Sequence, residues 1–400
     1  MRTIASPQLR FSNFSEPWSA LRAGEAFDQR RERGVPGLPI YAVTIDRGMV
    51  RRDSLEREIS ANASDEANLR ARAGDIVYNM MRMWQGAYGR APEDCMVSPA
   101  YVVLSARSGY SPRFFAHLLR EPRPLYWLWA FSHGLTNDRL RLYYRDFTRV
   151  PLHAPSLEEQ EKIADMLDAM DARVELLLKR AETLSQYRDG VIQQLFSGEL
   201  RFAPPKGGAY ADWIDARLGE VASFAKGRGV SREDIAPEGL TPCIRYGELY
   251  TTYGEVIGQV ASRTHLDPAG LMLSIAGDVI VPASGEDPLE IASAACVLQD
   301  GVALGGDLNI IRSSLDGVFL AYLLRNAKRL EIARLAQGYS VVHLYPHHLK
   351  RLKIRFPAQI EEQRHIAAFL QALDRKVAAV RAQAAATRTF KAGLAQRLFV

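Results

Sequence analysis

Residues 158–196 read EEQEKIADMLDAMDARVELLLKRAETLSQYRDGVIQQLF, and residues 361–399 read EEQRHIAAFLQALDRKVAAVRAQAAATRTFKAGLAQRLF. Aligned without gaps, the two stretches are identical at 14 of 39 positions. Chance would give about two or three, so the chain contains a duplication. In the first copy Ile163, Leu167, Met170, Val174, Leu177, Ala181, Leu184, Val191 and Leu195 step by four and three. In the second Ile366, Leu370, Leu373, Val377, Val380, Ala384, Leu394 and Leu398 hold the same phase. An apolar stripe with that spacing predicts two long helices with a coiled-coil seam, each ~60 Å long. The phase slips at Arg188 and Lys391, where the neighbouring Tyr187 and Phe390 are expected to take over the packing. Ser156-Leu157-Glu158-Glu159 reads as a capping box, and Gln359 leaves the second helix without one. Net charge is −4 over 156–204 and +4 over 358–400. The expected pairing is therefore of one copy with the other inside one chain. A homodimeric coiled coil is the alternative.

The segments before the helices correspond only in outline. Trp18, Gly24 and Glu25 match Trp213, Gly219 and Glu220 in spacing, and Gly74-Asp75-Ile76-Val77 matches Gly277-Asp278-Val279-Ile280. Otherwise they differ almost completely. The chain thus reads as globule (1–155), helix (156–200), Pro/Gly linker (201–208), globule (209–357) and helix (358–400). Each globule mixes short strands (40–45, 97–104, 271–281) with a helix (112–119, 318–336), an α+β pattern.

Composition sets the outer bounds. Four hundred residues with 47% hydrophobic and 24% charged side chains are a globular chain of two or more domains. Three isolated cysteines, with no C-x-x-C pair, argue against a disulfide framework or zinc ribbon and fit a reducing, cytoplasmic setting. No apolar run is long enough to span a membrane, and the N-terminus has no secretory core. Residues 1–155 carry 22 Arg, no Lys and 16 acids, a net +6. Guanidinium forks on that scale suit a polyanion, although arginine outnumbers lysine along the rest of the chain as well.

This organisation resembles the specificity subunit of type I restriction–modification enzymes over nearly the whole chain. The resemblance rests on the repeated helix start (Glu158–Asp171, Glu361–Asp374) and the repeated Leu-Phe ends. It also rests on Ile244-Arg245-Tyr246-Gly247-Glu248-Leu249, Gly277–Pro282, Gly338–Leu344, Tyr78–Ala87 and Val97–Tyr101. It implies two target-recognition domains, each reading half of a split, asymmetric double-stranded DNA site. They are joined by two antiparallel helices forming an intramolecular coiled coil with a pseudo-two-fold repeat. It further implies two modification (methyltransferase) subunits held by the helices and two restriction (translocase and nuclease) subunits beyond them. If both heads approach one face of B-DNA, their centres are expected about one turn, ~34 Å, apart.

Candidate DNA contacts follow from residue chemistry. In the second head Lys226, Arg228, Ser231 and Arg232 lie in a Gly-rich stretch that suits phosphates, and the turn with Tyr339, Ser340 and His343 offers hydroxyl and imidazole groups; Tyr246 joins them. A packed turn or a solvated basic loop is the plainer alternative. In the first head Arg82, Gln85, Tyr88 and Arg90 suit base edges, with Met83 and Trp84 equally suited to the core. Arg30, Arg31 and Arg33 read as phosphate contacts or solvated side chains. Asn137 and Arg139 stand where the second head has its 340–343 turn. Exposed-face Leu176 and Leu178 are expected to pack within the chain. His343, His347 and His348 do not make a metal set, because Pro346 breaks the helical spacing. No methyltransferase Asn-Pro-Pro-Tyr/Phe, dinucleotide loop, P-loop or zincin motif occurs. The chain is therefore expected to be non-catalytic and without cofactors, with S-adenosylmethionine, ATP and Mg belonging to partner subunits. A coiled-coil adaptor whose heads bind proteins is the competing reading.

Overall fold

The computed structural model describes residues 7–55, 64–136, 139–204 and 207–399. The chain forms two compact units. One holds the chain up to Leu178 together with everything from Arg381 on; the other is Lys179–Val380. The two duplicated stretches are single helices, Leu157–Ser197 and Ile360–Leu398. Each gives its two halves to different units.

Both units begin with the same device. An antiparallel ribbon pairs Ser19–Arg22 with Pro151–Ala154 in the first unit, and Trp213–Arg217 with Lys353–Pro357 in the second. One helical turn follows each ribbon, where Glu25 and Glu220 reach back to the backbone N–H of Arg22 and Arg217. In the first unit a four-stranded antiparallel sheet runs in the order Phe27–Arg30, Tyr101–Ala106, Ile76–Asn79, Tyr88–Arg90. A second sheet, Gly48–Arg51, Ile40–Thr44, Cys95–Val97, Leu69–Ala71, includes one parallel pair. The second unit has a five-stranded sheet in the order Ala222–Lys226, Leu308–Ser313, Asp278–Pro282, Ala295–Val297, Val256–Ile257, and a three-stranded one beside it. These are α+β globules on a paired-helix scaffold.

The pairing of the helices is antiparallel in both units. In the first, Ile163, Ala164 and Leu167 share a core with Ala395, Leu398 and Phe399. In the second, Val191, Ile192 and Leu195 share one with Ile366, Ala367 and Leu370. Seam positions Val174, Leu177, Val377 and Val380 are buried, and Met170, Leu184, Leu373 and Leu394 are half-buried. The phase slip is resolved differently from the sequence expectation. Tyr187 and Phe390 point to solvent, and the charged residues turn inward. Arg188 Nε donates to Asp374 at 2.5 Å, and Lys391 Nζ donates to Asp171 at 2.5 Å. Asp171 and Asp374 are the same repeat position, as are Arg188 and Lys391, so one cross-helix bridge is made twice. Leu176 also remains exposed rather than packed, and Leu178 is only partly covered.

The Glu-Glu-Gln start of each helix locks it onto its globule. Glu159 and Glu362 are almost fully buried. Arg10 clamps Glu159 at 2.8 and 2.7 Å, and Arg201 clamps Glu362 at 2.8 and 2.9 Å. Gln160 accepts from the backbone N–H of Ser111 and donates to Pro155 O; Gln363 accepts from the N–H of Asp316 and donates to Pro357 O. Ser111 and Asp316 are themselves the N-caps of helices Pro112–Leu118 and Gly317–Tyr322. The capping box is thus only half formed: the Glu159 N–H reaches Ser156 Oγ at 3.4 Å, but the glutamate side chain is diverted to Arg10.

Three further expectations shift. The strand 97–104 is interrupted at Ser98–Ala100, where Pro99 cannot donate to a ladder. The strand expected from Leu271 is confined to Asp278–Pro282, after a turn in which Gly277 has φ +97°. The helix 318–336 is broken by a π-turn at Leu323–Ala327. Among the described residues no helix is long and apolar enough to cross a membrane.

The clamp gives a direct test. Arg201→Met leaves the buried Glu362 carboxylate with only the Trp213 indole N–H, at 3.2 Å. A buried charge stripped of its partner costs about 3 kcal/mol. Urea unfolding of the variant should show that loss, with Arg201→Lys recovering only part of it because a single ammonium cannot reproduce the two-pronged bond.

Candidate nucleic-acid interface

In the second unit the strand Ala222–Lys226 ends in Gly227-Arg228-Gly229-Val230-Ser231-Arg232. Backbone bonds pin this loop: the Gly227 N–H donates to Leu308 O and the Arg228 N–H to Leu304 O. A Cβ at Gly227 would lie 1.9 Å from Gly305 O, so only glycine lets the two chains approach. Val230 then adopts φ +54°, a left-handed conformation that β-branched residues avoid. Its side chain is buried, which holds the strained turn in place. The loop presents Lys226, Arg228 and Arg232 outward. Their side chains have no hydrogen-bond or ion-pair partner among the described residues. Ser231 is held by Asp234.

A concavity of about 1010 Å³ opens beside the loop. Ser231, Arg232 and Tyr246 line it together with Arg245, Glu248 and Asp307. Glu248 accepts from the Arg245 backbone N–H at 2.7 Å, fixing the Tyr246 turn. The Arg245 Nε is buried with no hydrogen-bond partner. In the sequence Arg245 stands only within the Ile244–Leu249 motif, and nothing in its residue type marks it as a contact. Tyr339, Ser340 and His343 lie on a separate exposed turn, bridged at Gln337–His343, and Tyr339 is wholly exposed. They do not line the same concavity.

The first unit arranges its candidates otherwise. Arg30 is committed to Asp75 (2.6 and 3.1 Å) and Glu32 (2.8 Å), so it braces the Gly74–Asp75 turn. Arg312 does the same for Asp278 in the second unit. Arg31 bonds to Gln29, and Arg33 is exposed. Arg82 bonds to Gln85 at 3.0 Å on the surface, and Met83 is buried beneath them. Tyr88 is wholly buried, its hydroxyl donating to Ala116 O, so its side chain serves the core rather than a ligand. The strand Tyr88–Arg90 turns Tyr88 inward and Arg90 outward, toward Asp168 at 3.4 Å. Arg139 is exposed, and Asn137 lies outside the described residues. Leu135, in the place of Tyr339, is almost fully exposed, and nothing in its residue type had marked it.

A polar cluster joins the first globule to its helix. His117 Nε2 lies 2.8 Å from Asp168 Oδ1, and Arg113 Nε donates to Asp168 Oδ2 at 2.8 Å. His117, Asp168 and Asp171 are spaced closely enough to hold a cation. Arg113 and Lys391 already occupy the two carboxylates, so the arrangement works as an ion-pair network. Burial alone would raise the Asp168 carboxyl, but bonds from His117 and Arg113 and the charge of Arg90 outweigh it and hold it well below the carboxylate range. Burial pushes the thiols of Cys95 and Cys296 up to about 12 and that of Cys243 up to about 11.

With this geometry the relatives become informative. Residues 210–385 match the family model for the type I restriction modification DNA specificity domain. The chain is 23% identical over 193 residues to the type I restriction enzyme HindI specificity subunit of Haemophilus influenzae, covering 47% of this chain and 41% of that one. It is 25% identical over 160 residues to the StySPI specificity subunit of Salmonella potsdam, covering 38% of this chain and 34% of that one. The matched stretches thus span well under two thirds of those relatives. In fold, it is similar to the S subunit of a type I system from M. genitalium, with TM-score 0.60 at 15% identity over 99% of both chains. It is also similar to a chain from a structure describing assembly of a type I restriction–modification system, with TM-score 0.56 at 19% identity over 97% of this chain and 98% of that one. The family likeness to type I restriction–modification specificity subunits thus rests on residues 210–385, and the solved structures share the fold of the whole chain.

Two measurements follow. The folded pKa of Asp168 lies below its unfolded value of about 3.9. Its ion pairs therefore stabilise fully above that pH, and the contribution is lost as pH falls through and below it. Acid titration of unfolding should show a steeper loss below about pH 4 in the native chain than in Asp168→Asn. The native thiols should stay unreactive toward a disulfide reagent at pH 8, where thiolate is scarce, and all three should react after denaturation.

Proposed function

We propose that this chain is the non-catalytic DNA-reading subunit of a type I restriction–modification complex. Each head reads one half of a bipartite, asymmetric double-stranded site. The paired helices set the spacing and carry two modification subunits, which in turn recruit two restriction subunits. Methyl transfer, ATP use and cleavage, with S-adenosylmethionine, ATP and Mg, belong to those partners, and the complex works in the cytoplasm.

One observation carries this reading. The helix locks are duplicated position for position, whereas the solvent-facing loops largely differ. The clamps Arg10–Glu159 and Arg201–Glu362 match, as do the bridges Lys391–Asp171 and Arg188–Asp374. At the same spacing the basic loop 226–232 and the first head's 31–37 keep only Arg-Gly-Val in common, and in the first head Arg31 is bonded to Gln29. A scaffold that meets the same partner twice and surfaces that meet two different base sequences would be built that way. In the second head, Lys226, Arg228 and Arg232 serve as phosphate contacts. Arg245 and Tyr246 line the concavity where base edges or backbone enter. The division into heads at 1–155 and 209–357 is part of the same proposal.

Methylome sequencing with and without this gene, in a host expressing the modification subunit, should remove methylation from one split motif. Unchanged methylation would reject the reading. Exchange of residues 209–357 for another head should alter one half-site only. The double variant Arg228→Ala/Arg232→Ala should weaken binding of the assembled complex to all sequences alike. It should also reduce the slope of log K against log salt by about 2, near 0.9 per lost phosphate contact.

A further inference from the structure

One helix of the first globule carries more aromatic surface than its packing uses. Pro122–Ala130 buries Pro124 and Leu128 and sets Leu125 over the turn at Gly86. That inner face anchors it. Its outer face shows Tyr126 at 55% exposure and Trp129 at 45%, with Trp127 and, just past the helix, Phe131 half-buried beside them. The rings follow one another, with centroids 5.9 Å apart from Trp129 to Tyr126, 5.2 Å from Tyr126 to Trp127 and 6.1 Å from Trp127 to Phe131. Lone exposed rings are ordinary, but a contiguous run of them marks a surface that meets something. The helix in the same place in the second globule, Arg329–Leu335, reads RLEIARL and has no ring. The shared architecture therefore does not require one.

Charge indicates what the rings meet. Residues 122–153 hold five arginines and two acids. Of the acids, Asp138 lies outside the described residues, and Asp146 is buried between His133 and Arg145, 3.4 Å from each. Arg123, Arg139 and Arg141 are exposed and have no ion-pair partner among the described residues. Arg149 lies over the Phe131 ring at 5.2 Å, and Arg123 lines a small hollow with Trp127. Cations thus stand at both ends of the run of rings. An acidic peptide would meet the arginines and leave the rings unused. Duplex DNA keeps its base faces stacked inside. A single strand offers phosphates and open base faces in alternation, which matches this pattern.

We propose that the outer face of helix Pro122–Ala130 binds a single strand of nucleic acid. Unpaired bases stack on Tyr126 and Trp129, and Arg123 and Arg149 take phosphates on either side. The site is separate from the duplex-reading surfaces under Proposed function and does not depend on them.

The full chain is titrated against a labelled strand of about 20 thymidines, longer than a typical single-strand site, and against an equally long strand lacking bases. Fluorescence anisotropy gives both affinities, and the thymidine strand alone should quench tryptophan fluorescence. Trp129→Ala and Tyr126→Ala should each weaken the thymidine strand about tenfold, the scale of one stacked base, and leave the base-free strand unchanged. Tyr126→Phe keeps the ring and should keep the affinity. Arg123→Gln should weaken both strands and lower the slope of log K against log salt by about 0.7. The substituted side chains are exposed, and circular dichroism checks that each variant folds. A uridine strand forms a further arm: the tighter of the two strands assigns the site to DNA or to RNA. A base-free strand bound as tightly as thymidine, ring variants that bind like the unaltered chain, or displacement by polyglutamate of equal charge would overturn the site. So would an equal loss of binding to an unrelated duplex in the ring variants. Methylation of the split motif is read separately, so failure of this site leaves the DNA-reading proposal standing.

Discussion

The junction between each long helix and its globule depends on one buried carboxylate. Glu159 and Glu362 are removed from water, a state a carboxylate tolerates only when its charge and lone pairs are met. The guanidinium that meets each one arrives from outside the sheets, in Leu9-Arg10-Phe11 and in Leu200-Arg201-Phe202. The same short motif also ties its backbone to the end of a helix: Leu9 N–H donates to Arg397 O, and Leu200 N–H donates to Gln194 O. Gln194 and Arg397 are the same repeat position. A single tripeptide thus connects the end of one helix to the start of the other in each unit. The fork geometry of arginine fixes direction as well as distance, so the helix leaves its globule at a set angle.

Along the seam, the same preference for pinned polar contacts appears where apolar packing alone would suffice. A stripe of Val, Leu and Ala is permissive about sliding. A lysine or arginine set against an aspartate is not, because a slip by one turn strands both charges in a half-buried site. Tyr322 donates to Asp374 as well, and Glu255 accepts from Arg188 at 2.5 Å, so the bridge in the second unit also fastens the globule to the helix pair. In the first unit His117 and Arg113 reach Asp168 one turn away and do comparable work with different residues.

How much of this was legible follows from the range of each signal. The helices, their pairing and the α+β globules were readable because a 39-residue duplication and a 3.5-residue period extend over many turns. The Gly-Asp turns at 74–75 and 277–278 were visible as matched tetrapeptides, and both aspartates cap a turn and take an arginine. The Leu-Arg-Phe clamp was missed because three residues at a different offset fall below what a repeat search registers. Tyr88 and Arg90 could not be sorted, since a three-residue strand has too few alternations to reveal its inward face. The inward turn of Arg188 and Lys391 was hidden for another reason. Periodicity assumes that apolar residues win the seam, and here a cross-helix carboxylate makes the cation the better-buried neighbour.

The duplication also explains why the candidate interface is the least readable part. Where two copies keep the same residue, a shared constraint acts on both, and chemistry can be inferred from the pair without any relative. Glu159/Glu362, Gln160/Gln363 and Asp171/Asp374 each solve one problem twice. Surfaces that differ between the two globules lack that internal reference. The left-handed turn at Val230 is not repeated at Val35, its counterpart in the first globule, and neither that turn, the Gly227–Gly305 approach nor an Arg245 Nε without a hydrogen bond is legible before the chain folds. Strain of this kind persists only when the surrounding structure over-determines it. In the second globule the two backbone bonds of the loop and the burial of Val230 meet that condition. The cost of holding an exposed basic loop in one shape is therefore met before any ligand arrives, the advantage a rigid sheet edge would give the proposed contact surface.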